Sequence, residues 1–210
     1  MKRSAVLCAL IALTAFLAPT ASRAAADPQN AAVGALVGTI SVGGRTTSDA
    51  AVSIEGMAPN AHWTAAPAEY YHHAVMDQRD MKFFPRVLPV LVGTTVDFRN
   101  DDKVWHNVFS MSPAKKFDIG LSRPGQTKSA TFTKPGVVRL LCNVHPTMEA
   151  YVVVFSHPYF TSPDARGNYR FEGIPIGSYQ LKVWRPGGAA KIEPFKIERA
   201  GEVQQIDVNF

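Results

Sequence analysis

From about residue 32 to the C-terminus, apolar and polar positions follow the short period of strands and not the 3.6-residue period of helices. Runs of β-branched and aromatic residues alternate with clusters of Gly, Pro, Asn and Asp. The pattern predicts an all-β chain, with strands at 35–42, 50–55, 73–77, 88–92, 94–99, 105–111, 128–133, 137–142, 150–155, 168–172, 178–184, 192–198 and 203–209. The breaks fall at turn-forming stretches such as "SVGGR", "FRNDD", "SRPGQ", "TKPG", "SPDARGN", "RPGG" and "ERAGE". No internal repeat is visible.

The first residues are patterned differently. Lys2 and Arg3 precede an unbroken apolar run from Ala5 to Ala18, and small residues follow, with Ala24 or Ala26 as cleavage points. This predicts a secretory signal peptide over 1–26. The run is too short for a membrane span, and no later stretch qualifies. The expectation is a periplasmic protein, exported through a cleaved leader and without a membrane span afterwards. Cys8 lies in the apolar run behind Leu7, where a lipoprotein signal needs a small residue, so it reads as leader.

The leader also changes the charge. The whole chain carries 22 basic and 17 acidic residues, net +5, but cleavage removes Lys2, Arg3 and Arg23 and no acid, leaving 19 basic against 17 acidic, net +2. Without an arginine-rich stripe or a stacking motif, nucleic acid is not an expected partner. The roughly 184 residues left suffice for one large or two small domains. One of the two cysteines leaves with the leader. The mature chain must therefore be held by packed sheets and not by internal disulfides.

That makes Cys142 the single thiol, in "CNVHPTM" between the strand patterns "VVRLLC" and "AYVVVF". A hairpin loop there presents a thiol, an imidazole and a thioether at three-residue intervals: Cys142, His145 and Met148. A soft thiolate and thioether beside imidazole suit copper cycling between Cu(I) and Cu(II), in a trigonal set of two His and one Cys with a weak axial Met. The set needs a second histidine. His106, in "VDFRNDDKVWHNVFS", follows a strand and an Asn-Asp-Asp turn.

Structural zinc would want four strong N, S or O donors, and a thioether is not one. A dinuclear copper centre would need a second cysteine. An additional all-histidine site could draw only on His62, His72, His73 and His157. "YYHHAVM" puts His72, His73 and Met76 close in sequence, but adjacent residues at a strand entrance point to opposite sides; a second metal there is left open. The bland alternative for the whole loop is a buried free cysteine with incidental neighbours.

Two resemblances organise the chain. "GALVGTISVGGRTTSDAAVSIEGM" (34–57) and "DARGNYRFEGIPIGSYQLKVWRPGG" (164–188), read together, resemble the carboxypeptidase regulatory-like, prealbumin-type β-sandwich. The region between them, with "GTTVDFRND", "HNV" and C-x2-H-x2-M, resembles the cupredoxins, with the short ligand loop of amicyanin. The chain as a whole looks like the exported cupredoxins often labelled methylamine-utilisation proteins. The expected architecture is a Greek-key cupredoxin sandwich at 72–156, inserted in or adjacent to a small regulatory-like sandwich built from 32–58 plus 157–210, with 58–71 as linker. Insertion at an exposed loop is physically tolerated. The alternative is two sandwiches in tandem, with 34–57 pairing inside the first. The cupredoxin resemblance implies one type 1 copper held by His106, Cys142, His145 and Met148. It also implies that Asn107 ties the His106 loop to the backbone beside Cys142, a contact that would fix ligand geometry.

A closed four-ligand copper leaves no position for substrate, unlike a catalytic metal. The expected function is therefore single-electron transfer between redox proteins and not enzymatic turnover, with a cytochrome c or dehydrogenase-type partner. The electron port would be the edge of His145, rimmed by Pro146, Phe109, Met111 and Pro113, and Lys115 and Lys116 could steer an acidic partner. The competing classes are a copper storage, delivery or resistance protein and a structural sandwich stabilised by its metal. Met57, Met76, Met81 and Met111 are scattered and form no open array, which counts against storage.

Overall fold

The computed structural model describes residues 32–57 and 73–210; the expected leader, the 58–71 linker, His62 and His72 lie outside the described residues. The described residues form strands and no helix. First come β1 (Val33–Val42), β2 (Arg45–Thr46) and β3 (Ala51–Glu55). After residue 72 come β4 (His73–Arg79), β5 (Lys82–Phe84), β6 (Val87–Leu91), β7 (Thr95–Asn100), β8 (His106–Ser112), β9 (Lys115–Ser122), β10 (Thr127–Thr131), β11 (Gly136–Leu141) and β12 (Glu149–Phe155). The last are β13 (Phe160–Thr161), β14 (Asn168–Pro175), β15 (Gly177–Trp184), β16 (Lys191–Ile197), β17 (Val203–Gln205) and β18 (Val208–Asn209).

β4 to β12 pair only among themselves, as a sheet β10-β7-β4-β5 and a sheet β6-β12-β11-β8-β9. Alternation along each strand supplies the core. On β4, Ala74, Met76 and Gln78 point in while His73, Val75 and Arg79 point out. On β7, Val96, Phe98 and Asn100 point in. Phe98, Phe132, Val138, Leu140 and Val152 fill the space between the sheets, and Cys142 and Met148 belong to the same buried cluster.

The remaining strands form a second sandwich with its own core, in which Leu36, Ile54, Phe171, Ile174 and Leu181 are buried. β1 pairs with β2, β14, β17 and β18, and β3 pairs with β13 and β15. Apart from the β1–β2 hairpin, the strands before residue 58 thus find their partners more than a hundred residues later. One close approach is specific to glycine: a Cβ on Gly38 would lie 1.8 Å from the Ile206 carbonyl oxygen, which also accepts the Tyr169 hydroxyl at 2.6 Å.

The two sandwiches touch through the faces of two sheets. Ala51, Val87 and Val153 are buried together, with Val137, Phe155 and Trp184 packed against them, and the Tyr151 and Trp184 rings lie 5.3 Å apart.

β2, β5, β9 and β13 are strands that the apolar pattern does not predict. Three of them have two or three residues, too short to carry a period. β9 alternates, but with few apolar residues: Lys115, Phe117 and Ile119 are half-buried and Lys116, Asp118 and Gly120 exposed. Lys115 behaves as a core-side residue, its ammonium 5.5 Å from the Phe117 ring and 5.7 Å from the Phe132 ring.

Candidate metal centre

The ligand loop 142–148 joins β11 to β12, and its base is fixed where Leu141 faces Glu149 across the ladder. Inside the loop the Met148 amide donates to the His145 carbonyl at 3.0 Å, forming a tight turn. His106 opens β8 on the neighbouring strand, where Leu141 pairs with Phe109. The fold therefore brings the loop and the start of β8 to one end of the sandwich. Side-chain donor atoms of His106, Cys142 and His145 lie within 4.8 Å of one another. The Nδ1 atoms of His106 and His145 face each other at 3.1 Å. Cys142 and Met148 are buried, and His106 is fully buried; His145 alone of the four is part-exposed.

The proton position on His106 follows from its other nitrogen. Nε2 lies 2.7 Å from Asp102 Oδ2. A carboxylate can only accept, so Nε2 carries a hydrogen, and in the tautomer this selects the Nδ1 lone pair faces His145 and Cys142. Two nitrogens bound to one ion at about 2.0–2.1 Å sit roughly 3.3–3.6 Å apart at tetrahedral to trigonal angles, so the 3.1 Å observed needs to open by only a few tenths of an ångström. The residues present fit a bound metal, and thiolate plus imidazole with a buried thioether nearby is a copper donor set.

Asp102 is a site residue that the sequence pattern does not single out. It sits in the turn between β7 and β8, four residues before His106, and the doubled acid in "NDD" is the only signal. Its carboxylate also accepts the amides of Asp80 at 2.8 Å and Met81 at 2.9 Å, the two residues that turn the β4–β5 hairpin with positive φ. Burial pushes the Asp102 carboxyl up, but the hydrogen bonds from Met81, His106 and Asp80 outweigh it and hold the group below the usual carboxylate range.

Asn107 sits between the two ligand segments. Its backbone N–H donates to Cys142 Sγ at 3.4 Å, and its Oδ1 accepts the Asn143 amide at 3.4 Å. Its Nδ2 donates to Asp118 Oδ1 at 2.7 Å, and the same oxygen accepts the Gly120 amide at 2.7 Å. An acceptor-only partner on one side fixes which end of the amide faces the loop. Asp118 comes from β9 across a register shift between Asn107 and Phe109, a bulge that re-aims side chains beside a site. Asp118 is a second residue that sequence reasoning misses.

The apolar rim differs from the expected one. β8 runs away from the ligand loop, so Met111 lies about 16 Å along the strand from His106 and Pro113 lies in the turn beyond it. Lys115 and Lys116 pair with Ser112 and Met111 at that same distal end. They do not flank the site. The exposed apolar side chains adjoining the ligands are Val104 and Trp105 before His106, and Val144 and Pro146 around His145. Met81, whose amide binds Asp102, is also exposed. His73 and Met76 are not brought together: Met76 is in the core, while His73 faces outward with Nδ1 3.0 Å from Asp97.

Residues 71–155 match the model of the copper binding proteins of the plastocyanin/azurin family. This segment is similar to the cupredoxins. Amicyanin-alpha of Methylorubrum extorquens is 34% identical over 77 residues, which cover 35% of this chain and 65% of amicyanin-alpha; the chain thus spans just under two thirds of that curated relative. Among solved structures, a purple cupredoxin from Nitrosopumilus maritimus is 28% identical over 39% of this chain and 99% of its own, with a TM-score of 0.36. A reduced single-residue variant of amicyanin is 29% identical over 50% of this chain and 98% of its own, with a TM-score of 0.38. Within the matched segment the His106, Cys142 and His145 cluster supplies donors for one copper ion.

Proposed function

We propose that this protein is an exported, periplasmic type 1 copper protein that carries single electrons between redox partners. His106, Cys142, His145 and Met148 would hold the copper ion, and Asn107 braces the loop. One observation carries the reading. A bare imidazole nitrogen on buried His106 faces the nitrogen of His145 beside a buried thiol, and only His145 among the proposed ligands reaches the surface.

Copper supplies one-electron chemistry when bound. The chain does the rest. Asp102 keeps the proton on Nε2 of His106, so that Nδ1 is free to ligate without losing a proton first. The Asn107 amide donates to Cys142 Sγ, which orients the sulfur toward the two imidazoles. Burial of Cys142, His106 and Met148 keeps water from the metal, and the paired strands at both loop ends hold the donors in place whichever charge the metal carries. The His145 edge is the port. Its rim of Trp105, Val144 and Pro146 suits a transient encounter, since redox complexes bury small areas. A cytochrome c or dehydrogenase-type partner fits this surface. The regulatory-like reading of the second sandwich and the methylamine-utilisation label rest on the sequence resemblance, and export rests on the leader pattern.

The test is reconstitution of the mature chain with Cu(II). One copper per chain should give an intense visible thiolate-to-copper band that bleaches on reduction and returns on reoxidation, and Cys142→Ser should lack it. Rapid electron exchange with a small redox protein should accompany the colour. Copper bound without that band would overturn the type 1 assignment. A band without rapid exchange would favour the storage or delivery reading.

A further inference from the structure

The base of the ligand loop is Leu141 facing Glu149. Glu149 directly follows Met148, so whatever holds Glu149 holds the Met148 end of the loop. Arg139 Nε donates to Glu149 Oε1 at 2.6 Å. Arg86 Nη2 donates to Glu149 Oε2 at 3.2 Å, and Arg86 Nη1 donates to Asp49 Oδ2 at 3.1 Å. Asp49 lies between β2 and β3, in the other sandwich, where its own amide is held by Thr47 Oγ1 at 3.0 Å. The Arg86 carbonyl accepts the Tyr151 amide at 2.8 Å. Main chain and side chain of Arg86 therefore both grip β12.

The neighbouring space gives this bridge its leverage. A cavity of about 420 Å³ is lined by Asp49, Phe83, Arg86, Thr147, Met148 and Glu149. Met148 is packed on the core side and looks onto this cavity on the other. With Asp49 removed, one side of the guanidinium fork is unpaired and has room to swing, which loosens the Arg86 hold on Glu149 Oε2 while Arg139 still holds Oε1. Exposed ion pairs add little stability. An axial thioether bond, however, is long and weak, so small displacements of its donor change the metal's properties at little energetic cost.

We infer that Asp49 of the second sandwich, acting through Arg86 and Glu149, positions the Met148 end of the copper loop, so that the second sandwich tunes the axial side of the metal. This rests on the reading of Met148 as the axial ligand. Asp49, Arg86 and Glu149 are positioning residues and touch no metal.

The experiment uses the full mature protein loaded with copper. Asp49→Ala, the milder Asp49→Asn and a control, Glu193→Ala, are compared; Glu193 is an exposed acid on β16 outside this chain of contacts. Only folded samples with one copper per chain are scored, and Asp49→Asn carries the test alone if Asp49→Ala does not fold. The expected result is a raised reduction potential together with a changed intensity ratio of the thiolate-to-copper bands in the Asp49 variants, and no change in that ratio for Glu193→Ala. In an Arg86→Ala background, Asp49→Asn should add nothing, because the coupling runs through the arginine.

A shift in potential with an unchanged band ratio would be a field effect of the lost charge and would overturn the positioning role, as would no shift at all. Absence of the intense band in the parent protein would fail the type 1 reading itself, which separates the two failures.

Discussion

Asp102→Asn perturbs the metal centre without touching a ligand. Three donors converge on this carboxylate: His106 Nε2 at 2.7 Å and the Met81 amide at 2.9 Å on Oδ2, and the Asp80 amide at 2.8 Å on Oδ1. Asn offers one oxygen and one NH2. If the oxygen keeps Asp80, the NH2 meets the N–H groups of Met81 and His106 head-on; if it flips, the Asp80 amide is orphaned. At least one hydrogen bond to a charged acceptor is lost in either case, at about 1.5–3 kcal/mol. Where the NH2 faces His106, the proton is no longer pinned to Nε2, and the tautomer protonated on Nδ1 competes with the metal. Loss of such an outer partner typically weakens metal binding about 10–100-fold, which is about 1.4–2.8 kcal/mol. Competition for Cu(II) against a chelator of known affinity reads this directly, and denaturant unfolding of the copper-free protein reads the turn contribution separately. Asp101→Asn serves as control, because Asp101 pairs with Arg99 and not with the site. Copper affinities of Asp102→Asn and the parent within twofold of each other would refute the argument that Asp102 sets the His106 tautomer.

Three further outcomes are expected. Met148→Leu should keep copper and colour but raise the reduction potential, since losing a neutral donor disfavours Cu(II); complete loss of copper would make Met148 a principal ligand. Asp207 accepts the Thr39 hydroxyl and amide, and those bonds hold its carboxyl below the usual range. A depressed carboxyl stabilises the fold above its unfolded value of about 3.9 and loses that contribution as pH falls through the lower folded value. Asp207→Asn should therefore lower the melting temperature near neutral pH, with the gap to the parent closing below about pH 4; a gap independent of pH would contradict this. The excised piece 72–156 should fold and bind copper, and 32–58 linked by a short Gly/Ser segment to 157–210 should fold without it, because each contains a separate core. Aggregation of 72–156 alongside a folded 32–156 piece would argue for tandem domains.

The parts of this molecule that the sequence discloses are those whose geometry is local. Cys142, His145 and Met148 sit in one hairpin loop, so their spacing and their common direction come from the same few residues. His106 is legible because a strand and a turn precede it and it opens the next strand. The partners of these ligands arrive from elsewhere. Asp118 reaches Asn107 only because β9 folds back on β8 across a bulge. Asp102 looks like an ordinary turn acid until the β4–β5 hairpin tip is seen to share it. Proximity in sequence also misleads. Met111 and Lys115 are near His106 in the chain but are carried by an extended strand to the far end of the sandwich, whereas a loop of the same length would have kept them close. Strands spread neighbours apart and ladders bring distant residues together. In an all-β protein, then, the first ring of a site can be written in one loop, while the residues that tune it depend on register. Arg86 is the extreme case, joining Asp49 of one sandwich to the foot of the copper loop in the other.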